Sequence, residues 1–286
     1  MQLTGKRALV LGASRPVGRA IAGALADRGV RLALPWFDWP DSVKTLHEQF
    51  GANEHLLLEA DLRRPEAVAG LMRAIERRFG GLDILVNNVE RGGMPVLHGS
   101  YRRPYNQNQW QLELETTLRA KWLVFDQALP LLRRAEGAAV VNISSIAGLV
   151  GRSGPADLLF SDGYAAANRA ISSLTETWAR IGAPTIRVNE LMLGLIDHRH
   201  GPGTRGWNLL DPDQRERLID HTLLARTGTP DEVARAVLFL IGEADFITGT
   251  VLRMDGGYLL GGESAAIMPT GIREEKLGAP EAGIEE

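Results

Sequence analysis

The sequence predicts an α/β fold: a doubly wound, Rossmann-type parallel sheet with helices on both faces, in a single domain spanning residues 1–261. Three observations predict it. Short apolar runs alternate with amphipathic stretches along most of the chain, a pattern that calls for right-handed β-α-β crossovers and a parallel sheet. The first apolar run leads through a glycine-rich turn into a helix. Gly12, Asp61, Asn87 and Ser145 all fall at the carboxyl ends of predicted strands, where ligands bind in such sheets.

Residues 7–11 form the first strand; Gly12-Ala13-Ser14-Arg15-Pro16-Val17-Gly18 is the turn, and Val17, Ala20, Ile21, Ala24 and Leu25 recur at helical spacing. A second strand is predicted over 32–34, a helix over 43–50, and a third strand over 55–60 that ends at Asp61. Ala67, Leu71, Ile75 and Phe79 mark the next helix. Residues 82–86 are apolar on both faces, as a strand between two helix layers must be. Gly92-Gly93, Pro95, Gly99 and Pro104 interrupt residues 90–108, which read as a long loop. A helix over 108–134, a strand over 138–144, a helix over 162–181 and a strand over 185–192 follow. Residues 193–228 are irregular and polar, with one short helix at 212–223. Thr229 caps and Pro230 opens a helix over 231–241. The last strand, 250–254, ends in Asp255-Gly256-Gly257, and residues 262–286 have the Gly, Pro and Glu content of a tail or arm.

The 286 residues are 44% hydrophobic and carry a net charge of −3, so nothing favours a nucleic-acid backbone or an anionic membrane. Zero cysteines exclude disulfide and thiolate chemistry. No apolar run approaches the ~20 residues that span a bilayer. The N-terminus runs into a strand without a signal peptide, so a cytoplasmic protein is expected.

Chemistry is expected between residues 143 and 171. Asn142-Ile143-Ser144-Ser145 closes a strand and Tyr164 opens a helix, so that a hydroxyl and a phenol can converge on one substrate carbonyl. The Gly12–Gly18 turn offers free backbone N–H groups and a helix dipole to a pyrophosphate, although a tight structural turn would look the same.

From about Lys6 to Gly261 the chain resembles the short-chain dehydrogenase/reductase family, as a divergent member. Gly12-Ala13-Ser14-Arg15…Gly18 resembles the family's cofactor turn, Asp61-Leu62 its adenine-contacting pair, and Leu85-Val86-Asn87-Asn88 the strand on the nicotinamide side. Asn142-Ile143-Ser144-Ser145 and Tyr164 resemble its serine strand and tyrosine; Ile186-Arg187-Val188-Asn189, Arg226-Thr227-Gly228-Thr229-Pro230 and Asp255-Gly256-Gly257 match later signatures. The resemblance implies a tyrosine acid/base, a serine that polarises the substrate oxygen, a lysine that lowers the tyrosine pKa and holds the nicotinamide ribose, and an asparagine that completes a proton relay. It therefore implies Ser145, Tyr164, Asn168 and Thr117 as catalytic positions, and Gly12, Ser14, Arg15, Val17, Gly18, Asp38, Asp61, Leu62, Asn87, Asn168 and Gly194 as cofactor positions. No metal is expected.

Two of these positions depart from the family. The lysine position, four after the tyrosine, is Asn168, and the relay position, seven after Trp110, is Thr117. A unit charge at ~4 Å in an effective dielectric of ~20 is worth about 4 kcal/mol, or roughly three pKa units. Without it the phenol is a poor base yet still a proton donor, so reduction suffers less than oxidation. Arg169 points about 100° away from Asn168 on the helix, which makes Lys121, one turn beyond Thr117, the better-placed cation. Pro16 replaces the middle glycine of the turn, and Val89-Glu90 replaces alanine-glycine, bringing a carboxylate near the nicotinamide pocket.

The resemblance thus implies an NAD(P)-dependent oxidoreductase acting on a small carbonyl or alcohol, in the reductive direction, or else a catalytically silent dinucleotide-binding or scaffold protein. The end of the second strand, Leu34-Pro35-Trp36-Phe37-Asp38, leaves NAD and NADP both open and leans to NADP, because no acidic residue ends the strand itself. The loop over about 195–228 would define the substrate, with His198 and His200 read as solvated loop residues rather than ligands or an acid/base pair. The resemblance also implies a homodimer or homotetramer formed through the helices at 108–134 and 162–181.

Overall fold

The expected alternation is present in the computed structural model, which describes residues 1–51, 54–92, 94–263 and 265. The strands are β1 (Arg7–Val10), β2 (Arg31–Trp36), β3 (Leu56–Glu59), β4 (Ile84–Asn87), β5 (Ala138–Ser145), β6 (Ile186–Leu193) and β7 (Val251–Met254). They form one parallel sheet in the order β3-β2-β1-β4-β5-β6-β7. The order reverses between β1 and β4, and the crevice beyond their carboxyl ends is the topological switch point where such sheets bind ligands.

The principal helices are α1 (Pro16–Ala26), α2 (Pro40–Phe50), α3 (Pro65–Phe79), α4 (Pro95–His98), α5 (Gln109–Leu114), α6 (Ala120–Leu132), α7 (Ala147–Val150), α8 (Asp162–Gly182), α9 (Pro212–Asp220) and α10 (Pro230–Gly242). Six of them open on proline in the first turn, where its fixed φ suits the helix and its missing N–H costs no bond. This explains how Pro16 is tolerated in the glycine turn. Thr229 caps α10 through a reciprocal capping box with Glu232, as its sequence position predicts.

One core layer packs α1 and α10 against the sheet through Val17, Ile21, Leu25, Val237 and Ile241. The other packs α3, α6 and α8 on the opposite face, where Trp178 stacks on Phe125 with centroids 4.2 Å apart. A third cluster joins Tyr164 and Phe160 to Trp207, Leu218 and Tyr258, and so fastens the loop after β6 to the start of α8.

Three expectations are corrected. Residues 90–108 are not one open loop: they contain α4 and a 3-10 turn at Pro104–Asn106, and Tyr101 is pinned to the start of α8. The helix over 108–134 is continuous but widens into a π-helical segment at Glu115–Arg119. The helix within the loop after β6 ends at Asp220, three residues early. The segment read as a tail, 262–286, lies almost wholly outside the described residues. Among the described residues no helix is long and apolar enough to cross a membrane.

Candidate active site

Gly12 follows β1 with φ of 70°, which favours glycine. A Cβ there would lie 2.5 Å from the Asn88 carbonyl, and one on Gly18 would lie 2.3 Å from the Gly12 carbonyl. These glycines let two backbone segments meet at the switch point, beside the N-terminus of α1. A cleft of about 310 Å³ opens there, lined by Gly12, Ser14, Arg15, Val17, Asp38, Asp61, Leu62 and Asn88 among others. Of the expected cofactor residues, Gly18 and Gly194 are outside the cleft lining and are sites of close packing: a Cβ on Gly194 would strike Asp255 at 2.6 Å. Asn87 is fully buried and donates to the Asn142 Oδ1 at 2.9 Å, so its neighbour Asn88 is the residue that faces the cleft.

The outer side of the cleft carries a cluster of arginines beside Asp38 and Asp61. The guanidinium groups of Arg15 and Arg205 lie 4.5 and 5.0 Å from the Trp39 ring centre. Burial, then the charges of Arg205 and Arg19, lower the Arg15 pKa, against a weaker opposing pull from Asp38. Asp61 accepts two hydrogen bonds from the Arg63 side chain at 2.8 Å, which hold its carboxyl below the usual range.

At the inner end stand Ser145 and Tyr164. Ser145 closes β5 and its Oγ accepts from the Ala147 N–H at 3.1 Å. Tyr164 lies in the first turn of α8 with no exposed surface. Its hydroxyl donates to Glu90 Oε2 at 2.6 Å and lies 2.9 Å from His200 Nε2. Arg199 reaches the same carboxylate and also donates to Asn88 Oδ1 at 3.1 Å. Glu90, Arg199 and His200 line the cleft, whereas Tyr164 lies behind them. Burial, then the Glu90 charge, raise the Tyr164 pKa; Arg199 and Ser145 oppose them. Burial would raise the Glu90 pKa too, but the Arg199 charge, helped by the hydrogen bond from Tyr164, outweighs it and keeps the carboxyl ionised. Burial pushes His200 down to about 4, leaving a neutral imidazole.

His200, read from the sequence as solvated, is thus a buried partner of the phenol, and Arg199 is the cation beside it. Sequence reasoning missed both because the loop reaches the site through long-range packing with no local signature. Their one signal was polar clustering in Asp197-His198-Arg199-His200.

Asn168 is buried and donates to the Tyr164 carbonyl at 2.9 Å. Since that carbonyl can only accept, the amide must present its NH2 to it, and Oδ1 is left buried without a partner among the described residues. A buried bare acceptor fits a ligand hydroxyl. With the glycine cradle, it makes the chain's own residues compatible with a dinucleotide. Thr117, in the π segment, accepts from the Arg91 N–H at 3.0 Å and so fixes the backbone next to Glu90.

Lys121 does not take the place of the absent lysine beside the phenol. Its ammonium is buried and donates to the Ile143 carbonyl at 2.6 Å. Burial, then the Arg199 charge, push its pKa down to about 7. Unfolded, this lysine keeps its proton to about pH 10.4, so the unfolded chain binds more protons between the two values and stability rises with pH across that window. Denaturant titrations are expected to show a more stable protein at pH 9 than at pH 7, by at most ~1.4 kcal/mol per pH unit. In Lys121→Met that dependence should disappear.

A parallel sheet with a glycine turn at its switch point is the setting in which doubly wound proteins bind nucleotides. Comparison with known proteins agrees. Residues 12–259 match the family model described as enoyl-(acyl carrier protein) reductase. The 3-oxoacyl-(acyl-carrier-protein) reductase FabG of Vibrio cholerae is 30% identical over 262 residues, covering 91% of this chain and all of that protein. The Bradyrhizobium diazoefficiens protein named "Probable short-chain type dehydrogenase/reductase blr2146" is 34% identical, covering 96% and 98%. Ligand-free aldohexose dehydrogenase of Thermoplasma acidophilum superposes with a TM-score of 0.70 at 26% identity, covering 93% and 98%. The chain belongs to the short-chain dehydrogenase/reductase family.

Proposed function

We propose that the protein is an NADP-dependent oxidoreductase that interconverts a small carbonyl compound and its alcohol, chiefly by reduction, as a cytoplasmic homo-oligomer. The observation that carries this reading is that the Gly12–Gly18 turn opens, at the switch point, into a cleft whose lining residues Glu90 and His200 bond the Tyr164 hydroxyl just behind them, near the β5 end that carries Ser145. The backbone of residues 12–18 and the α1 N-terminus would hold the pyrophosphate, Leu62 and Asp61 the adenine, and Asn168 Oδ1 a ribose hydroxyl. When bound, the nicotinamide supplies or accepts hydride. Tyr164 then gives its proton to the developing alkoxide, and Ser145 donates a hydrogen bond to the same oxygen.

The lean to NADP rests on Arg15 and Arg205, two cations on one indole with little opposing charge. An anionic 2′-phosphate between them would relieve their repulsion. Arg15→Ala is expected to weaken NADPH by about 2 kcal/mol, roughly 30-fold, and NADH by much less. Half-exposed Trp110 and Trp122, on α5 and α6, offer apolar surface for the expected subunit contact.

Titration with NADPH and then NADH, following tryptophan quenching, tests the reading. Micromolar binding of NADPH is the expected result; no binding of either below millimolar concentration would contradict it. The burial of Tyr164 behind Glu90, Arg199 and His200 favours one second reading, a silent dinucleotide-binding protein on the same fold. That protein would bind NADPH and reduce no carbonyl.

A further inference from the structure

The tyrosine of this site has lost a helical lysine and gained a carboxylate. Asn168 cannot carry charge, and Lys121 points away to the Ile143 carbonyl. Among the described residues the Tyr164 hydroxyl donates to Glu90, at 2.6 Å, which leaves neutral His200 Nε2, at 2.9 Å, to donate to the phenol oxygen. Glu90 follows β4 on a backbone that Thr117 clamps through Arg91, and the oxygen that accepts from the phenol, Oε2, also accepts from Arg199. Its side chain is 18% exposed and borders the cleft, whereas the phenol is sealed. The carboxylate therefore links the buried hydroxyl to water.

We propose that Glu90 is the proton acceptor of a Tyr164–Glu90 relay, so that the base lost at position 168 is supplied from the loop after β4. The inference rests on the oxidoreductase reading and adds an oxidative half-reaction to it. In alcohol oxidation a bound oxidised nicotinamide would supply the hydride acceptor, and the chain's own residues would handle the proton. Once a substrate reaches the phenol past Glu90, Arg199 and His200, its alcohol O–H proton would pass to Tyr164 Oη while the phenol's own proton passes to Glu90 Oε2. The products are a ketone, the reduced cofactor, an unchanged phenol and a neutral Glu90, which returns its proton to water in the cleft. No free phenolate is needed, which removes the penalty that the missing lysine would otherwise impose. Arg199 is a positioning residue here: it holds the carboxylate ionised and aimed at the phenol. The charged and titratable groups facing Glu90 are Arg199, His200, Tyr164 and Lys121.

The experiment uses the full chain with NADP⁺ and ethyl 3-hydroxybutyrate, comparing wild type, Glu90→Gln and Glu90→Asp from pH 6 to 9. The wild-type rate should be flat with pH because the carboxylate is already ionised. Glu90→Gln should lose about a hundredfold in kcat at pH 7, with the KM for NADP⁺ unchanged, and should recover about tenfold per pH unit as hydroxide takes over removal of the phenol proton. Glu90→Asp should restore part of the rate. A purely structural role would lower the rate equally at every pH. A Glu90→Gln enzyme as fast as wild type, or faster, would overturn the relay and make the Glu90–Arg199 pair a plug instead. A second readout needs no turnover: the ultraviolet tyrosinate signal of Tyr164, taken as the difference from Tyr164→Phe, should emerge at lower pH in Glu90→Gln than in wild type, and coincident titrations would overturn the contact. If wild type binds NADP⁺ yet turns over neither this alcohol nor the matching ketone while the tyrosinate shift is present, the oxidoreductase reading has failed and takes the catalytic relay with it.

Discussion

Tyr164→Phe is expected to lower kcat for carbonyl reduction by about 10²–10⁴-fold, the range lost with a general acid, while NADPH binding and fold stay unchanged. The side chain is fully buried among Ile146, Phe160, Trp207 and Tyr258, and the removed hydroxyl leaves its ring contacts in place. The cost falls on the proton, because the two hydroxyl or imidazole donors beside the phenol, Ser145 and neutral His200, are left to hydrogen-bond the substrate oxygen without the acid that protonates it. Glu90 would be left with Arg199 as its remaining close partner, so its charge stays compensated. Steady-state assay of an NADPH-dependent ketone reduction, with NADPH affinity measured separately, checks this. An unchanged rate would move the chemistry elsewhere in the cleft.

The largest effect on stability is expected from Trp178→Ala. Trp178 is 3% exposed on α8, stacked on Phe125 of α6 with ring planes 8° apart. Truncating a buried aromatic residue costs about 3–5 kcal/mol from lost transfer and the cavity left behind, and this stack adds a further aromatic contribution. It joins the two long helices that carry Thr117 and Tyr164, so the loss should also loosen the catalytic geometry. Urea denaturation reads the stability change, and Trp178→Phe should recover much of it.

The sheet was legible in the sequence because parallel strands buried on both faces leave short continuous apolar runs, and 82–86 and 138–144 met that pattern to within two residues. The first turn was legible because glycine alone allows the Gly12–Asn88 approach. The polar row was not. Asn87, Asn142 and Glu190 stand side by side across β4, β5 and β6, and only the register shows that Asn87 bonds inward while Asn88 faces the cleft. The π segment was hidden for a related reason: the extra residue per turn around Thr117 leaves no composition signature within a helix-forming sequence. Position 90 was legible as a carboxylate near the nicotinamide side, but not its bond to Tyr164, which needs α8, β4 and the loop after β6 together. His200 and Arg199 were lost to the same cause, since a loop's polar residues look solvated until their packing partners are known.

The most direct test of the account is deuterium transfer from NADPH labelled at C4 of the reduced nicotinamide to ethyl acetoacetate, with mass detection of the alcohol product. The account predicts deuterium on the carbinol carbon with wild type and a loss of product in Tyr164→Phe. Saturating NADPH binding with no label transferred to this ketone or to a panel of simple aldehydes would contradict it, and would leave a dinucleotide-binding protein without hydride chemistry.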